Sequence, residues 1–568
     1  MEQYINTLSN ILKKDFTQEP LMLKQFIINH NKEIINALTN KAIFDLTVKV
    51  VNILGKEKKY YLQIVYLELL NQKIKNNNIL FTLAEAFYKI KGYKESLNYL
   101  NKISFKDFKI EHQKLLANIY YQSQDFIKCI KTINKIRNLE GDDVHKILML
   151  IHCHRRVKNI KEAENEFNKL SNYKIEKIKT LILKCQILIA KGDFKSALII
   201  VEENYNQYSD NIEFLEVYSL ILKKYRRYND ALKILQQAKA LGYTGYYSQA
   251  YSIELSNRNY SIGFENLVQA TKNNLINNYF KSKKIKEWEG ENLNNKNLFL
   301  YSGEGIALGD KIYFFRFILH TLEFFEDANI YFCINSLREM HLFKHKKVHI
   351  IELNNAEKYI DESKTNYFSS LPLLTLINIK KGMSIDNHKN FISSNNAKNE
   401  FWKNYFKQYQ TKINIGLNWK GDIKFKLDIY RSLSLDNLNS IFENNFNFFV
   451  LNENITDDEQ LFLKKYKNIF IIDQNLLLDE KNHSFIDTIA IMKNMDVILT
   501  TDTALAHLAF SLNLKTFLML EFSPFWYWDV NEKENLYKNL NAKFFNQPSP
   551  GNWDLVIKKV NEELKLLN

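Results

Sequence analysis

A glycine-rich loop from Gly303 to Asp310 holds the first residues whose types and spacing suggest chemistry. Three of the chain's 15 glycines, Gly303, Gly305 and Gly309, fall within seven residues there. The loop follows an apolar, strand-like segment and precedes a predicted helix. Glycine lets the backbone approach a ligand and present its N–H groups. Asp310, at the start of that helix, could act as a general base or serve only as an N-cap.

A second group of polar residues follows another predicted strand. Asn418 and Lys420 end that segment, and Arg431 and Ser432 follow about ten residues later. Lys420 and Arg431 could place fixed positive charge beside a departing diphosphate, and arginine can bind two phosphate oxygens at once. The alternative is an exposed loop with solvated basic residues. Glu453, at the end of a further strand, is a candidate ligand of a ribose.

A third group, Thr501 to His507, is predicted to run from a strand into a helix. Asp502 is predicted to cap that helix. The N–H groups from Thr503 onward would then meet a phosphate at the positive end of the helix dipole. Ala504 is small enough to permit that approach. His507 is either a core histidine or a ligand contact.

These loops require β-strands to position them, and the second half of the chain supplies suitable segments. Short apolar strands alternating with helices predict parallel sheets, and two such lobes in series make a cleft at the carboxyl ends of their strands. The predicted strands are 297–303, 329–334 and 347–353 in the first lobe, and 413–419, 446–452, 468–473, 496–501 and 515–521 in the second.

The first half of the chain repeats. An aromatic or apolar residue follows a predicted turn at spacings of 33, 34, 34, 34 and 32, at Tyr93, Phe126, Ile160, Phe194, Tyr228 and Tyr260. A period of 34 is that of the tetratricopeptide repeat, in which each unit is a pair of antiparallel helices. Small residues such as Ala163, Ala197 and Ala231 are expected where the two helices lie closest. The alternative is an irregular helical bundle.

Composition limits the function classes. The net charge is +14, with +16 in residues 1–300 and −2 in residues 301–568. A basic repeat surface suits an acidic protein or an anionic membrane face, or reflects biased codon usage. We predict no nucleic-acid partner. The four cysteines are not spaced as metal ligands would be. We therefore predict that they are reduced core residues of a cytoplasmic protein.

No segment predicts a membrane span or a secretory signal. The first residues mix charged and polar types where a signal would be apolar. The most apolar segment, from about Val497 to Leu514, contains Asp502 and His507, which a bilayer would have to bury. Peripheral association with an anionic membrane stays open.

Taken together, the motifs resemble bacterial tetratricopeptide-repeat proteins that carry a heptosyltransferase-like glycosyltransferase domain. The motifs that carry the resemblance are Gly305 to Asp310, GLNWKGD with YRSLSL, MDVILTTDTALAHLAFSLN, the aromatic run 524–528 and the tail FFNQPSPGNWDLVIKKV. The resemblance covers nearly the whole chain. It implies an α-solenoid followed by an α/β GT-B fold with two Rossmann-like lobes.

The resemblance also implies a reaction. It is an inverting, metal-independent transfer from a nucleotide-sugar, with no further cofactor. Asp310 matches the position of the acceptor-activating base, and Asp502, Thr503 and Ala504 match the diphosphate-binding turn. Arg431 stands where heptosyltransferases carry a lysine. The first loop departs from the usual pattern at Glu304, Gly305 and Ala307, but the glycine before Asp310 is retained.

The predicted domains are a helical cap of degenerate repeats (1–75), the repeat array (76–290), an acceptor-side lobe (291–410) and a nucleotide-sugar lobe (411–568). We expect a glycosyltransferase whose acceptor is a protein or peptide held by the repeat groove. One alternative is a transferase acting on lipopolysaccharide or another surface glycan. Another is a non-catalytic repeat adaptor with a degenerate GT-B domain.

Overall fold

The computed structural model describes residues 41–74, 76–334, 339, 341–360, 364–382, 391–422, 425, 428–477, 485–528 and 541–567. The chain divides into two compact units, Met1–Ile175 and Glu176–Asn568. The predicted cap before residue 41 lies outside the described residues. The predicted domain bounds stay predictions.

Helices account for the first half of the described chain, and they come in pairs. In the first unit the pairs are Lys41–Lys56 with Tyr60–Lys73, Asn77–Lys89 with Tyr93–Leu100, Ile110–Gln122 with Phe126–Glu140, and Val144–Arg156 with Ile160–Lys169. In the second unit they are Lys177–Lys191 with Phe194–Tyr208, Ile212–Lys224 with Tyr228–Ala240, and Tyr246–Ser256 with Tyr260–Ala270, followed by the single helix Asn274–Ser282. All six residues singled out by the repeat period are the first residues of second helices. The prediction of tetratricopeptide-type pairs is confirmed.

The turn within each pair has one conformation throughout. The residue two positions before each second helix has a positive φ, and these residues are Lys58, Lys91, Gln124, Lys158, Gly192, Arg226 and Arg258. The N–H of the following residue bonds back to a carbonyl five residues earlier, as from Asp125 to Tyr120 at 2.8 Å. This is the bonding of a Schellman motif, which ends the first helix. The same few residues therefore stop one helix and start the next.

A small buried residue occupies the fourth position of the second helix in six pairs: Ser96, Cys129, Ala163, Ala197, Ala231 and Gly263. It faces the first helix at close range. The Ser96 hydroxyl donates to the Ala84 carbonyl at 2.5 Å, and the Cys129 thiol lies 3.5 Å from the Ala117 carbonyl. The predicted close approach of the paired helices is confirmed.

The first sheet has five parallel strands in the order β1-β5-β2-β3-β4. The strands are β1 Lys286–Glu287, β2 Asn297–Tyr301, β3 Asn329–Ile334, β4 Val348–Glu352 and β5 Asn366–Ser370. Strands β2, β3 and β4 lie where they were predicted. Strand β5 escaped prediction because it ends in two buried serines, Ser369 and Ser370, which break the apolar pattern. Strand β1 has only two residues.

The second sheet has six parallel strands in the order β11-β10-β9-β6-β7-β8. The strands are β6 Asn414–Asn418, β7 Asn447–Val450, β8 Ile469–Ile471, β9 Val497–Thr501, β10 Thr516–Leu520 and β11 Ala542–Asn546. The five predicted strands are all present. Strand β11 was not predicted, because as an edge strand it buries only Phe545 fully.

Helices flank both sheets. Their bounds are Leu308–Phe324, Leu371–Lys380, Asn396–Phe406, Asp428–Arg431, Asn439–Phe442, Asp457–Leu463, Ile486–Met492, Ala504–Ser511 and Asp554–Lys565. Short 3-10 turns cover Phe105–Asp107, Leu170–Asn172, Leu353–Tyr359, Lys407–Tyr409, Leu435–Leu438 and Gln474–Leu476. None of these helices, nor any in the repeats that the structure describes, is long and apolar enough to cross a membrane.

Two helix contacts join the parts of the second unit. Helix Leu308–Phe324 of the first lobe packs on helix Ala504–Ser511 of the second, and the last repeat helix packs on helix Leu371–Lys380. One hydrophobic core runs through these contacts. Tandem helix pairs followed by two lobes with all-parallel sheets constitute the predicted α-solenoid and GT-B fold.

Candidate active site

A cavity of about 460 Å³ lies where the carboxyl ends of strands from both sheets meet. Crevices at that edge of parallel sheets are where α/β folds bind ligands. Eleven of the twelve predicted site residues line the cavity: Gly305, Gly309, Asp310, Asn418, Lys420, Arg431, Glu453, Asp502, Thr503, Ala504 and His507. Ser432 does not line it. Folding thus brings together four segments that are remote in sequence.

Asp310 is the third residue of its helix rather than the residue before it, so it is not the N-cap. Its Oδ2 nevertheless accepts a hydrogen bond from the backbone N–H of Ala307, at 3.1 Å. The Tyr527 hydroxyl donates to its Oδ1 at 3.4 Å. Burial and the charge of Asp502 raise the pKa of Asp310 to about 6, against the opposing effects of the Ala307 N–H and Arg431. A carboxyl with this pKa can take up a proton near neutral pH.

Asp502 does not cap the helix that follows it, which corrects the prediction. The helix begins at Ala504, and Thr503 is its N-cap, with an extended backbone. Asp502 is buried, and burial raises its pKa even though Arg431 lies close enough to oppose the shift. The indole N–H of Trp528, like Arg431, opposes this rise in the pKa of Asp502.

The start of helix Ala504–Ser511 faces the cavity. Ala504 and Leu505 line the cavity, and Thr503 makes no side-chain cap bond to the first turn. The Asn418 side-chain amide donates to the hydroxyls of Thr500 and Thr503, each at 3.0 Å, and so ties β6 to the end of β9. Open N–H groups at the positive end of a helix form a site suited to an anion.

Arg431 lines the same cavity and is mostly buried. Burial lowers its pKa, but Asp502, Asp428 and Tyr527 outweigh burial and raise the pKa above its usual value. Its Nε bonds to Asp428 at 3.2 Å, and its guanidinium lies 4.6 Å from the centre of the Phe425 ring. Arg431 therefore carries a fixed positive charge at the cavity wall.

Ser432 and Lys420 hold the loop around Arg431. The Ser432 hydroxyl donates to Asp428 at 2.8 Å and accepts from the Gly421 N–H at 3.0 Å. Lys420 lines the cavity, but its ammonium is paired with Glu459. The positive charge that the sequence assigned to Lys420 is thus shared with a carboxylate. The alternative of an exposed loop whose basic side chains are solvated is therefore not observed, because both Lys420 and Arg431 contact carboxylates.

His507 is buried against two aromatic rings. Its ring centre lies 4.9 Å from that of Tyr527 and 4.8 Å from that of Trp528. Burial, Arg316 and Arg431 lower its pKa well below the usual value, so the imidazole is neutral. A Cβ placed on Gly309 would lie 2.7 Å from His507 Cδ2. Glycine is required at 309 because the two lobes touch there.

The residues of the cavity wall that sequence reasoning missed include Tyr251, Glu521, Phe525 and Tyr527. Phe525 and Tyr527 lie in the aromatic run 524–528, which carried the resemblance but received no role. Glu521 follows β10, a position where polar residues of parallel sheets meet ligands. Tyr251 comes from the repeats, where no site residue was sought.

The repeats of the second unit are anchored beside this cavity. Lys224 forms a buried ion pair with Glu521. The Arg226 guanidinium donates to the Phe522 carbonyl and lies 4.2 Å from the centre of the Phe522 ring. These side chains come from the end of one repeat helix and its turn. The turn that separates paired helices therefore also binds the second lobe.

The structure holds no candidate metal cluster of three or more His, Cys, Asp or Glu side chains within the residues it describes. The metal-independent reaction and the absence of a further cofactor stay predictions.

Solved structures similar to this chain fall into two groups. A tetratricopeptide repeat protein from Parabacteroides merdae is 14% identical, with a TM-score of 0.31, and the match covers 41% of this chain and 96% of that one. A glycosyl transferase family 9 protein from Veillonella parvula is 10% identical, with a TM-score of 0.35, over 49% and 99%. The heptosyltransferase WaaC of E. coli with ADP is 7% identical, with a TM-score of 0.30, over 48% and 100%. No protein-family profile and no curated protein matches the chain.

The assignment of the fold rests on the helices and sheets of the chain itself. The chain joins tetratricopeptide-type helix pairs to a two-lobed domain with two parallel sheets, which is the arrangement of the GT-B fold.

Proposed function

We propose that this protein is a glycosyltransferase that moves a sugar from a nucleotide-sugar to a hydroxyl group of a protein bound by the repeats. The observation that carries the proposal is the convergence on one cavity of Asp310 from the first lobe with Arg431 and the start of helix Ala504–Ser511 from the second. A base, a cation and open backbone amides are what a transfer of this kind requires.

Asp310 is the proposed base. The acceptor oxygen attacks the anomeric carbon as its proton passes to the Asp310 carboxylate. The carbon–oxygen bond to the diphosphate breaks, and its electron pair leaves with the nucleoside diphosphate. Attack from the face opposite the leaving group inverts the configuration of the sugar. The raised pKa of Asp310, about 6, favours this role because it makes the carboxylate a stronger base.

The second lobe is proposed to bind the departing diphosphate. Arg431 supplies a charge that burial keeps away from bulk water, and the amides of Ala504 and Leu505 supply hydrogen bonds. Both act more strongly in a buried cavity than in water. Lys420 contributes less than the sequence suggested because Glu459 shares its charge.

A protein acceptor is favoured because helical repeats of this type form extended surfaces that bind polypeptides. The excess of positive charge in residues 1–300 favours an acidic protein partner over a neutral one. A lipopolysaccharide acceptor would leave the repeats without a role.

The experiment is a binding and turnover panel on the full chain. Binding of UDP, GDP, ADP and CDP is measured by calorimetry, and hydrolysis of the corresponding nucleotide-sugars is measured by release of nucleoside diphosphate. We expect one nucleoside diphosphate to bind and Asp310→Asn to bind it equally while losing at least about 100-fold in turnover. Arg431→Met should weaken its binding about tenfold or more.

The matched control is Glu304→Gln, an exposed carboxylate in the same loop as Asp310. It should leave binding and turnover within about twofold of the wild type. If no nucleoside diphosphate binds and no donor is turned over, the transferase proposal is wrong and a repeat adaptor with an inactive GT-B domain is the better account.

A further inference from the structure

Tyr251 is a residue of the repeats that reaches the candidate active site. It lies in helix Tyr246–Ser256, the first helix of the last pair. Of the residues that line the cavity in the described part of the chain, Tyr251 alone belongs to the repeats. Its ring packs against the core shared by the two lobes. The repeats therefore supply part of the wall.

The repeat pattern marks Tyr251 as an exception. The residue seven positions before each positive-φ residue is Val51, Ala84, Ala117, Ile151, Cys185 or Ser219 in the other six pairs. All six are aliphatic or small, and all are buried. Tyr251 is a large polar aromatic at the same position and only half-buried. Local rules of a fold are broken most often where function requires it.

The second helix of the last pair also departs from the pattern of the other pairs. In other pairs the residue that corresponds to Tyr251 is hydrogen-bonded to the small residue twelve positions later. An example is the Cys129 thiol, which lies 3.5 Å from the carbonyl oxygen of Ala117. The residue twelve positions after Tyr251 is Gly263, which has no side chain. A Cβ on Gly263 would lie 2.5 Å from Leu255 Cδ2. Gly263 therefore lets the second helix of the last pair pack closely against Leu255 of the first.

Tyr251 lies in the electrostatic field of Asp310. Burial and the negative charge of Asp310 raise the pKa of Tyr251, so its hydroxyl keeps its proton at neutral pH. Tyr527 already donates to the Oδ1 of Asp310. The Tyr251 hydroxyl makes no hydrogen bond to any residue that the structure describes. It remains available as a donor and an acceptor for a ligand beside Asp310.

The position of Tyr251 is held firmly. The adjoining repeat is tied to the second lobe by the buried ion pair of Lys224 with Glu521, which itself lines the cavity. On the other side, the ring of Phe264 in the last repeat helix lies edge-on to Trp526, with 5.4 Å between centres. A side chain that is fixed in this way can orient a substrate with little loss of entropy on binding.

We propose that Tyr251 binds the hydroxyl-bearing segment of the acceptor and orients its hydroxyl toward Asp310, so that the repeats form the acceptor side of the active site. Tyr251 is then both a binding residue and a link between capture of the acceptor and transfer. The inference rests on the proposed function, because it requires Asp310 to act on an acceptor.

The test compares transfer with hydrolysis in the full chain, because water needs no orientation by Tyr251. The nucleotide-sugar that the wild type hydrolyses is supplied with and without N-acetylserine amide, a minimal acceptor hydroxyl of a polypeptide. We expect Tyr251→Phe to lower transfer to N-acetylserine amide at least tenfold, while hydrolysis and the Kd for the nucleoside diphosphate change less than twofold. The substitution removes one oxygen and keeps the ring, so folding is preserved.

The matched control is Tyr247→Phe, one turn earlier on the same helix and exposed. It should change neither rate. Equal losses of transfer and hydrolysis in Tyr251→Phe, or no loss of either, would overturn the inference. So would a wild type that hydrolyses the donor but never transfers to the serine amide, although the proposed function would survive that result. A wild type that neither binds nor hydrolyses any donor contradicts the proposed function and this inference together.

Discussion

The ionisation of Asp310 is set by its surroundings, and the consequences for activity and for stability have opposite signs. The carboxyl must lose its proton to act as a base, and its pKa of about 6 places that loss in an accessible range. In the unfolded chain its pKa is near 3.8. The folded protein therefore binds more protons than the unfolded chain between pH 4 and 6, and this group makes stability fall as pH rises across that window.

We predict that Asp310→Asn raises the melting temperature at pH 7.5 and leaves it unchanged near pH 4. At pH 7.5 the wild type maintains a buried charge that costs about 1–3 kcal/mol, and the amide has no such cost. Donor turnover by the wild type should rise with pH, with its midpoint at the pKa of Asp310, about 6, and level off about one pH unit higher, and the variant should keep its loss of at least about 100-fold throughout. Thermal unfolding at the two pH values checks the prediction. A lower melting temperature at pH 7.5 would mean that Asp310 is stabilised as a carboxylate.

Gly309 leads to a prediction about the contact of the two lobes. In Gly309→Ala the added Cβ would lie 2.7 Å from Cδ2 of His507, which Tyr527 and Trp528 hold in place. We expect a loss of about 1–3 kcal/mol in stability, as for other overpacked sites, and weaker binding of nucleoside diphosphate. At Gly305 an added Cβ meets no atom within 4 Å, so Gly305→Ala should lose only the smaller cost of its positive φ, 76°. Calorimetry measures the stability of both variants. Equal losses of stability would show that backbone strain in the loop, and not the contact with His507, sets the cost.

Among the elements, the repeat turns are the most regular. Seven turns share one positive-φ residue, and six of these residues are lysine, arginine or glutamine rather than glycine. A positive φ costs a residue other than glycine about 1 kcal/mol. Basic side chains partly offset this, because they stand at the negative end of the helix that they terminate.

We predict that Lys91→Gly stabilises the chain. Lys91 is exposed with φ at 63°, so glycine removes the strain and costs only the extra freedom of the unfolded chain. The net gain should be about 0.5 kcal/mol. The control is Lys94→Gly, an exposed site inside the next helix, which should lose about 1 kcal/mol. Urea unfolding measures both, and a loss of stability in Lys91→Gly would show that the lysine side chain has a role of its own.

The strand predictions show what local pattern can and cannot reveal. Eight strands were predicted where they occur because each is a continuous apolar run. Strand β5 was missed because Ser369 and Ser370 are buried polar residues, which only the packed sheet can place. The capping role predicted for Asp502 was wrong because the helix begins two residues later, with Thr503 as its N-cap.

At the scale of the whole molecule, the last repeats and the two lobes share a core. Leu255, Phe264 and Leu267 of the last repeat belong to the same hydrophobic cluster as Leu300 and Leu518 of the two sheets. The chain accordingly divides between Ile175 and Glu176, not at the end of the repeats.

We predict that a fragment of residues 176–568 unfolds in one cooperative transition, whereas a fragment of residues 291–568 aggregates or melts at least 10 °C lower. Removing the last repeat exposes the apolar surface that it covers in the shared core, which costs about 25 cal/mol per Å². Calorimetry and light scattering on the two fragments check this. Equal melting temperatures would show that the repeats are merely tethered to the lobes.

Local sequence patterns were enough to locate the register of the repeats, the first residues of six second helices and eight strands, because each of these depends on residues close together in the chain. They also identified eleven residues of the cavity wall, through loops that follow strands. The packing of the folded chain was needed to show that Glu459 pairs with Lys420, that Asp310 lies near Asp502, and that Tyr251 reaches the cavity from the repeats. These features depend on contacts between residues far apart in the chain, where no local pattern carries the information.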